Sequence, residues 1–137
     1  MKEKLLIVTF FVVFILGIVL YFKYNKPDDK KTIESNVRYL SMNEISKIME
    51  ENENYIILDV RTKEEFAQGH IPNAICIPNE TINENIIDKL PNKEQLILIY
   101  CRSGNRSKQA TEKLKRLGYL NLIEFGGIID WNGEIVK

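Results

Sequence analysis

Apolar positions along this chain follow three different patterns. Residues 5–22 (LLIVTFFVVFILGIVLYF) run for 18 positions without a charge and are apolar on every face of a helix. Shorter apolar, β-branched runs recur at 55–60 (YIILDV), 74–77 (AICI), 96–100 (LILIY) and 120–125 (LNLIEF). These runs are continuous rather than alternating, the pattern of strands buried on both faces of a parallel sheet. Between them the period becomes helical. Ser41-x-x-Glu44 and Thr62-x-x-Glu65 are capping boxes, and Ile45, Ile48 and Met49 form an i, i+3, i+4 stripe behind the first. The spacing predicts a short helix over 83–90, closed by Pro91. A longer one is predicted over 105–117, with Ala110, Leu114 and Leu117 on one face and Gly118 as its stop.

Strands alternating with helices predict an α/β domain around a mainly parallel sheet, with right-handed connections. As a helix, the first run would rise roughly 27 Å, close to the ~30 Å hydrocarbon core of a bilayer. No alanine precedes Ala67, so a small-x-small cleavage site is missing, and no cysteine precedes Cys76 to carry a lipid. The expected organisation is therefore a tail at 1–4, a single-pass, uncleaved signal-like transmembrane anchor at 5–22, a polar tether at 23–36 and a folded domain at 37–137. Lys2 and Lys4 precede the anchor, whereas Lys23, Lys26, Lys30, Lys31 and Arg38 follow it. A count of positive residues would keep the domain cytoplasmic, but long domains translocate largely regardless of such charges. The short Lys-bearing start reads as an uncleaved signal, and the domain is expected to face outward.

Composition removes several function classes. With 137 residues there is room for one domain and an appendage. Lys+Arg and Asp+Glu are equal at 19 each, without the basic surplus of a nucleic-acid binder. Two cysteines and one histidine cannot staple a secreted mini-protein or build a four-cysteine zinc site. No cofactor or metal is expected, and the sequence assigns no oligomeric state.

The chemistry concentrates at one place. The run LILIY ends in Cys101, and Arg102, Ser103, Gly104, Asn105, Arg106 and Ser107 lead from it into the 105–117 helix. Sites in open α/β sheets lie at the carboxyl ends of strands. A loop curling into a helix start turns its N–H groups inward as an anion nest, and the helix dipole adds partial positive charge. Two arginines raise the potential further, and Gly104 supplies the freedom for a tight curl. All of this favours thiolate over thiol at Cys101. Such a thiolate can attack phosphorus in a phosphate ester or the outer sulfur of thiosulfate.

The segment Cys-Arg-x-Gly-x-Arg-Ser after an apolar strand resembles the active-site loop of the rhodanese family of sulfurtransferases. Three more segments agree in order: Asp59-Val60-Arg61 with Glu64-Glu65-Phe66, the turn Gly69-His70-Ile71-Pro72-Asn73-Ala74, and Gly126-Gly127-Ile128-Ile129-Asp130-Trp131. The resemblance spans about 37–137. It implies a rhodanese-like domain with a central sheet of about five strands and helices on both faces. It also implies thiosulfate sulfurtransferase activity, with sulfane sulfur carried as a persulfide on Cys101 to cyanide or a thiol. Loop N–H groups from Arg102 to Ser107 would hold the sulfur anion, Arg106 would bind the donor's oxyanion and Arg102 would assist at the rim. Asp59, Arg61 and Glu65 would form a salt-bridged support beneath the loop. The two arginines favour thiosulfate over 3-mercaptopyruvate, whose users carry Cys-Gly-Ser-Gly-type loops. Asn73 stands where the family has Gly, a residue that tolerates positive φ, and Ile128 stands where the family often has a larger side chain.

Two alternatives accompany this reading. One is a membrane-tethered persulfide carrier or binding module serving a protein thiol. The other is a phosphatase of the same fold, disfavoured because Cys101 and Arg106 enclose four residues rather than the five of a phosphate loop. Outside the loop, Cys76 reads as a small hydrophobe in a buried strand, His70 as a locally bonded turn residue, and Trp131 and Tyr100 as packing.

Overall fold

The computed structural model describes the backbone of residues 2–24, 35–84 and 88–137, and the side chains of 12–21, 23–24, 35–84 and 88–137. Most of the expected tether at 23–36 and the middle of the expected 83–90 helix lie outside the described residues. The chain forms two compact units, Met1–Thr32 and Ile33–Lys137.

The first unit holds α1 (Lys2–Tyr24). Among the described residues, no helix is long and apolar enough to cross a membrane. This finding overturns the expected transmembrane anchor at 5–22, the membrane partnership and the outward-facing localisation built on it.

In the second unit, β1 (Asn36–Tyr39), α2 (Met42–Glu51), β2 (Tyr55–Asp59), α3 (Lys63–Gln68) and β3 (Ile75–Cys76) come first. They are followed by a 3₁₀ turn at Asn79–Thr81, then β4 (Leu96–Cys101), α4 (Asn105–Arg116), β5 (Asn121–Gly127) and a second 3₁₀ turn at Ile128–Asp130. The five strands pair in the order β1-β5-β4-β2-β3, every pair parallel. Four strands coincide with the apolar runs. The fifth, β1, is an edge strand whose side chains are mostly exposed, so no hydrophobic signal marks it.

Both faces of the sheet are covered, which explains why the runs do not alternate. Ile97, Ile99 and Cys101 of β4 share one apolar cluster with Ala110 and Leu114 of α4. Leu98 and Tyr100 join Met42 and Ile45 of α2 in the other. Cys101 therefore points toward the α4 side because it lies in phase with Ile97 and Ile99.

Both helix starts expected from the sequence form. At Thr62, the hydroxyl accepts from Glu65 N–H while the Glu65 carboxylate accepts from Thr62 N–H. At Ser41, the Glu44 carboxylate accepts from both the backbone N–H at 2.8 Å and the hydroxyl at 2.6 Å. Gly118 closes α4 at φ +87°, and Asn73 adopts φ +63° as its substitution for glycine requires.

Candidate active site

Cys101 is the last residue of β4 and is buried. Its placement depends on an irregularity between β4 and β5. Ile99 pairs with Glu124, but Cys101 pairs with Gly127, so β5 carries one extra residue across that step. Such bulges re-aim side chains at strand ends, and Gly126 absorbs the bend at φ +92°. Gly127 is needed for a different reason. A Cβ there would lie 2.2 Å from the Arg102 carbonyl oxygen and 2.5 Å from Ser103 Cα, so the loop seats directly against a bare backbone.

After Cys101 the chain turns through Arg102 and Ser103 to Gly104, whose left-handed φ of +99° starts α4. This curl brings Gly104 N–H to 3.0 Å from Cys101 Sγ as a donor. Ser107 Oγ lies 3.5 Å from the sulfur. Burial pushes the Cys101 thiol up. The Ser107 hydroxyl and the N–H groups of Ser107, Ser103 and Gly104 outweigh it, and the net direction is downward. Of the loop N–H groups expected to hold the sulfur, Gly104 N–H makes the direct hydrogen bond. Cys76 goes the other way, pushed up by burial and then by the charge of Asp59.

The supporting side chains divide into two pairs, not one bracket. Asp59 and Arg61 are both buried. Arg61 Nη2 donates to Asp59 Oδ2 at 2.6 Å and to the Gly69 carbonyl at 2.7 Å, tying β2 to the turn after α3. Tyr100 packs on Phe125 with ring centroids 5.5 Å apart, and its hydroxyl accepts from Ile71 N–H at 3.3 Å. Glu65 does not join Arg61. It takes a two-pronged contact from Arg106, at 2.6 and 2.8 Å, and that guanidinium holds the Glu65 carboxyl down at about 2. Arg106, expected to bind a donor oxyanion, is therefore committed to α3. Arg102, expected at the rim, makes no side-chain hydrogen bond or ion pair among the described residues. It lines a hollow of about 480 Å³ with Arg61, Glu65, Gln68, Ile128 and Ile129.

Ser103 and Asn105 are exposed members of the loop. Ser107 is buried, and its hydroxyl lies 2.9 Å from the Gly104 carbonyl. The same hydroxyl is in short contact with Glu124 Oε1. The sequence reading missed Glu124, although a signal was available: it is the one charge inside the run LNLIEF, and a charge within a buried strand must have a partner.

Cys76 lies half-buried on the two-residue edge strand β3, its sulfur 3.7 Å from the Arg61 carbonyl oxygen. This corrects the expected buried strand, since β3 has a neighbour on one side only. Both cysteines are free thiols. His70 stacks on Phe66 with centroids 3.7 Å apart, and its Nδ1 lies 3.0 Å from the Phe66 carbonyl, a local turn contact. Trp131 is half-buried at the margin of the α2-side cluster, donating to the Glu134 carbonyl at 3.0 Å. Among the described residues, no group of three or more His, Cys, Asp or Glu could hold a metal ion.

Residues 41–134 match the family model described as Rhodanese-like domain, and the chain belongs to that family. It is similar to Thiosulfate sulfurtransferase PspE of Escherichia coli (strain K12), 37% identical over 73 residues, which cover 53% of this chain and 70% of that protein. It is also similar to a protein named Sulfurtransferase from Allochromatium vinosum, 36% identical over 96 residues, 69% of this chain and 88% of that one. Among solved structures, a rhodanese with anions from E. coli has a TM-score of 0.56 at 35% identity, covering 61% of this chain and 98% of its own.

Proposed function

We propose that the protein is a sulfurtransferase that takes sulfane sulfur from an anionic donor such as thiosulfate onto Cys101 and passes it to cyanide or a thiol. The observation that carries this reading is Cys101 Sγ facing Gly104 N–H at 3.0 Å in a nest that lowers its thiol. The names of relatives at 36–37% identity support the same class.

In the first half-reaction, the Cys101 thiolate attacks the outer sulfur of thiosulfate. A new S–S bond forms at Cys101, the donor's S–S bond breaks, and sulfite leaves with the bonding pair. In the second, the acceptor attacks the outer persulfide sulfur and Cys101 leaves as thiolate. Both half-reactions carry an anion at the same point, so fixed N–H donors serve both without reorganising. Of the two loop guanidiniums, Arg102 is the one without a side-chain partner among the described residues and would receive the donor's oxygens, whereas Arg106 is paired with Glu65. The same commitment of Arg106 disfavours phosphatase chemistry, which would need that group turned toward phosphate.

Thiosulfate:cyanide turnover of the full chain, wild type against Cys101→Ser, tests the reading. Wild type should form thiocyanate and gain one sulfur by mass on thiosulfate treatment, and Cys101→Ser should do neither. Equal thiocyanate from both, or brisk hydrolysis of p-nitrophenyl phosphate with no thiocyanate, overturns it. A stable persulfide with slow turnover to cyanide would keep the donor half and point to a protein thiol as acceptor.

A further inference from the structure

Behind the loop lies a buried carboxylate that the sulfur chemistry just described does not use. Glu124 is 3% exposed. Its Oε1 accepts from the backbone N–H of Gly126 at 3.1 Å and is in short contact with the Ser107 hydroxyl. Ser107 Oγ also lies 3.5 Å from Cys101 Sγ. Sulfur, hydroxyl and carboxylate thus form a continuous chain from β4 through α4 to β5.

Three features distinguish Glu124 from the other two carboxylates that surround the site, buried Asp59 and half-buried Glu65. Asp59 and Glu65 each face a guanidinium, whereas among the described residues no Lys or Arg forms an ion pair with Glu124. Its charge is instead placed behind the one side chain that must itself become an anion. The hydroxyl between them has a single proton, so it cannot donate to both sulfur and carboxylate at once. Two full negative charges flanking one buried hydroxyl would leave one of them without a donor there, an expensive arrangement in a buried site.

We propose that Cys101 and Glu124 share one proton through the Ser107 hydroxyl, making Glu124 a positioning residue that receives the thiol proton when the thiolate forms. The Cys101 S–H bond breaks as Ser107 Oγ takes that proton. The hydroxyl's own proton moves to Glu124 Oε1, and the negative charge passes from carboxylate to sulfur. The hydroxyl, now accepting from the carboxylic acid, points its proton at the thiolate. Atoms and charge balance within the triad, and no base from solvent is required. The reverse transfer restores the thiol when the thiolate is not in use.

The other ionisable groups near Glu124 are few. Tyr39 pairs with it across β1 and β5. The Tyr39 hydroxyl donates to Glu112 of α4 at 3.2 Å, and burial, Glu112 and Glu124 together push it up. Tyr39→Phe therefore serves as a control for a tyrosine step.

The test is the ultraviolet thiolate band as a function of pH, on the full chain in a Cys76→Ser background. Two coupled groups titrate in two macroscopic steps. Wild type and Tyr39→Phe should show the band rising in two steps with a plateau between them. Glu124→Gln, which keeps the shape but takes no proton, should lose the plateau and rise once. Identical single-step curves for wild type and Glu124→Gln overturn the proposal. If Glu124→Gln does not fold, infrared spectra decide. Wild type should show a protonated-carboxyl band in the pH range of the plateau that disappears in Cys101→Ser, and its absence from wild type overturns the proposal. The proposal rests on Cys101 as the sulfur-bearing group, but the two fail separately. Two steps without sulfur loading sink the sulfurtransferase reading alone, and loading with a single step sinks the shared proton alone.

Discussion

Arg106 and Glu65, 41 positions apart, meet in a two-pronged ion pair at 2.6 and 2.8 Å. This contact binds the start of α4, and with it the end of the cysteine loop, to α3. The side chains are about a quarter exposed, so the pair is worth on the order of 1 kcal/mol rather than the several of a fully buried one.

Its pH dependence has a definite sign. Glu65 falls from 4.5 to about 2 in the folded protein, a depressed carboxyl. The stabilisation is complete above the unfolded value and is lost as pH falls from about 4.5 toward 2. Glu65→Gln should therefore lower urea stability by about 1 kcal/mol at neutral pH, and the difference from wild type should shrink toward zero near pH 2. A gap that persists unchanged in acid would contradict the assignment.

Arg61→Ala should behave differently, because Asp59 would be left as a buried, unpaired carboxylate. Removing one partner of such a pair costs about 3–5 kcal/mol. The melting temperature should drop far more than the turnover of the protein that remains folded. Unchanged melting with lost turnover would instead put Arg61 in the chemistry.

The two glycines of β5 make a paired prediction. In Gly127→Ala the new methyl meets the Arg102 carbonyl at 2.2 Å, so the loop must move, with a loss of about 1–3 kcal/mol and of persulfide loading. Gly126→Ala meets nothing within 4 Å and carries only the left-handed backbone penalty, about 1–2 kcal/mol. Loading measured by mass should separate them: lost in the first, largely retained in the second.

Arg102 and Arg106 should separate by kinetics. Arg102→Ala is expected to raise KM for thiosulfate about tenfold, the equivalent of roughly 1.4 kcal/mol, with melting unchanged. Arg106→Ala is expected to lower stability along with turnover. The opposite pattern would restore Arg106 as the donor contact.

The parallel sheet, its capped helices and Cys101 at a strand end were all legible in the linear order of residues. Each rests on interactions within a few positions: continuous apolar runs, a capping hydroxyl three residues before its carboxylate, a loop opening a helix. Strand β1 was not legible, because an edge strand with exposed side chains has no hydrophobic signature. The apolar run at 5–22 was legible as composition only, and the anchor drawn from it did not survive.

The partners of Glu65, Arg106 and Glu124 could be decided only in three dimensions. Sequence placed Glu65 beside Arg61 and Arg106 beside a substrate, whereas the packing of α3 against the start of α4 joined Glu65 to Arg106 and left Arg102 open. It likewise set Glu124 behind Ser107, through a one-residue irregularity between β4 and β5 that no local pattern announces. Local periodicity dictates which elements form because backbone hydrogen bonds and burial act over short spans. Ion pairs and proton paths depend on where elements distant in the chain come to rest.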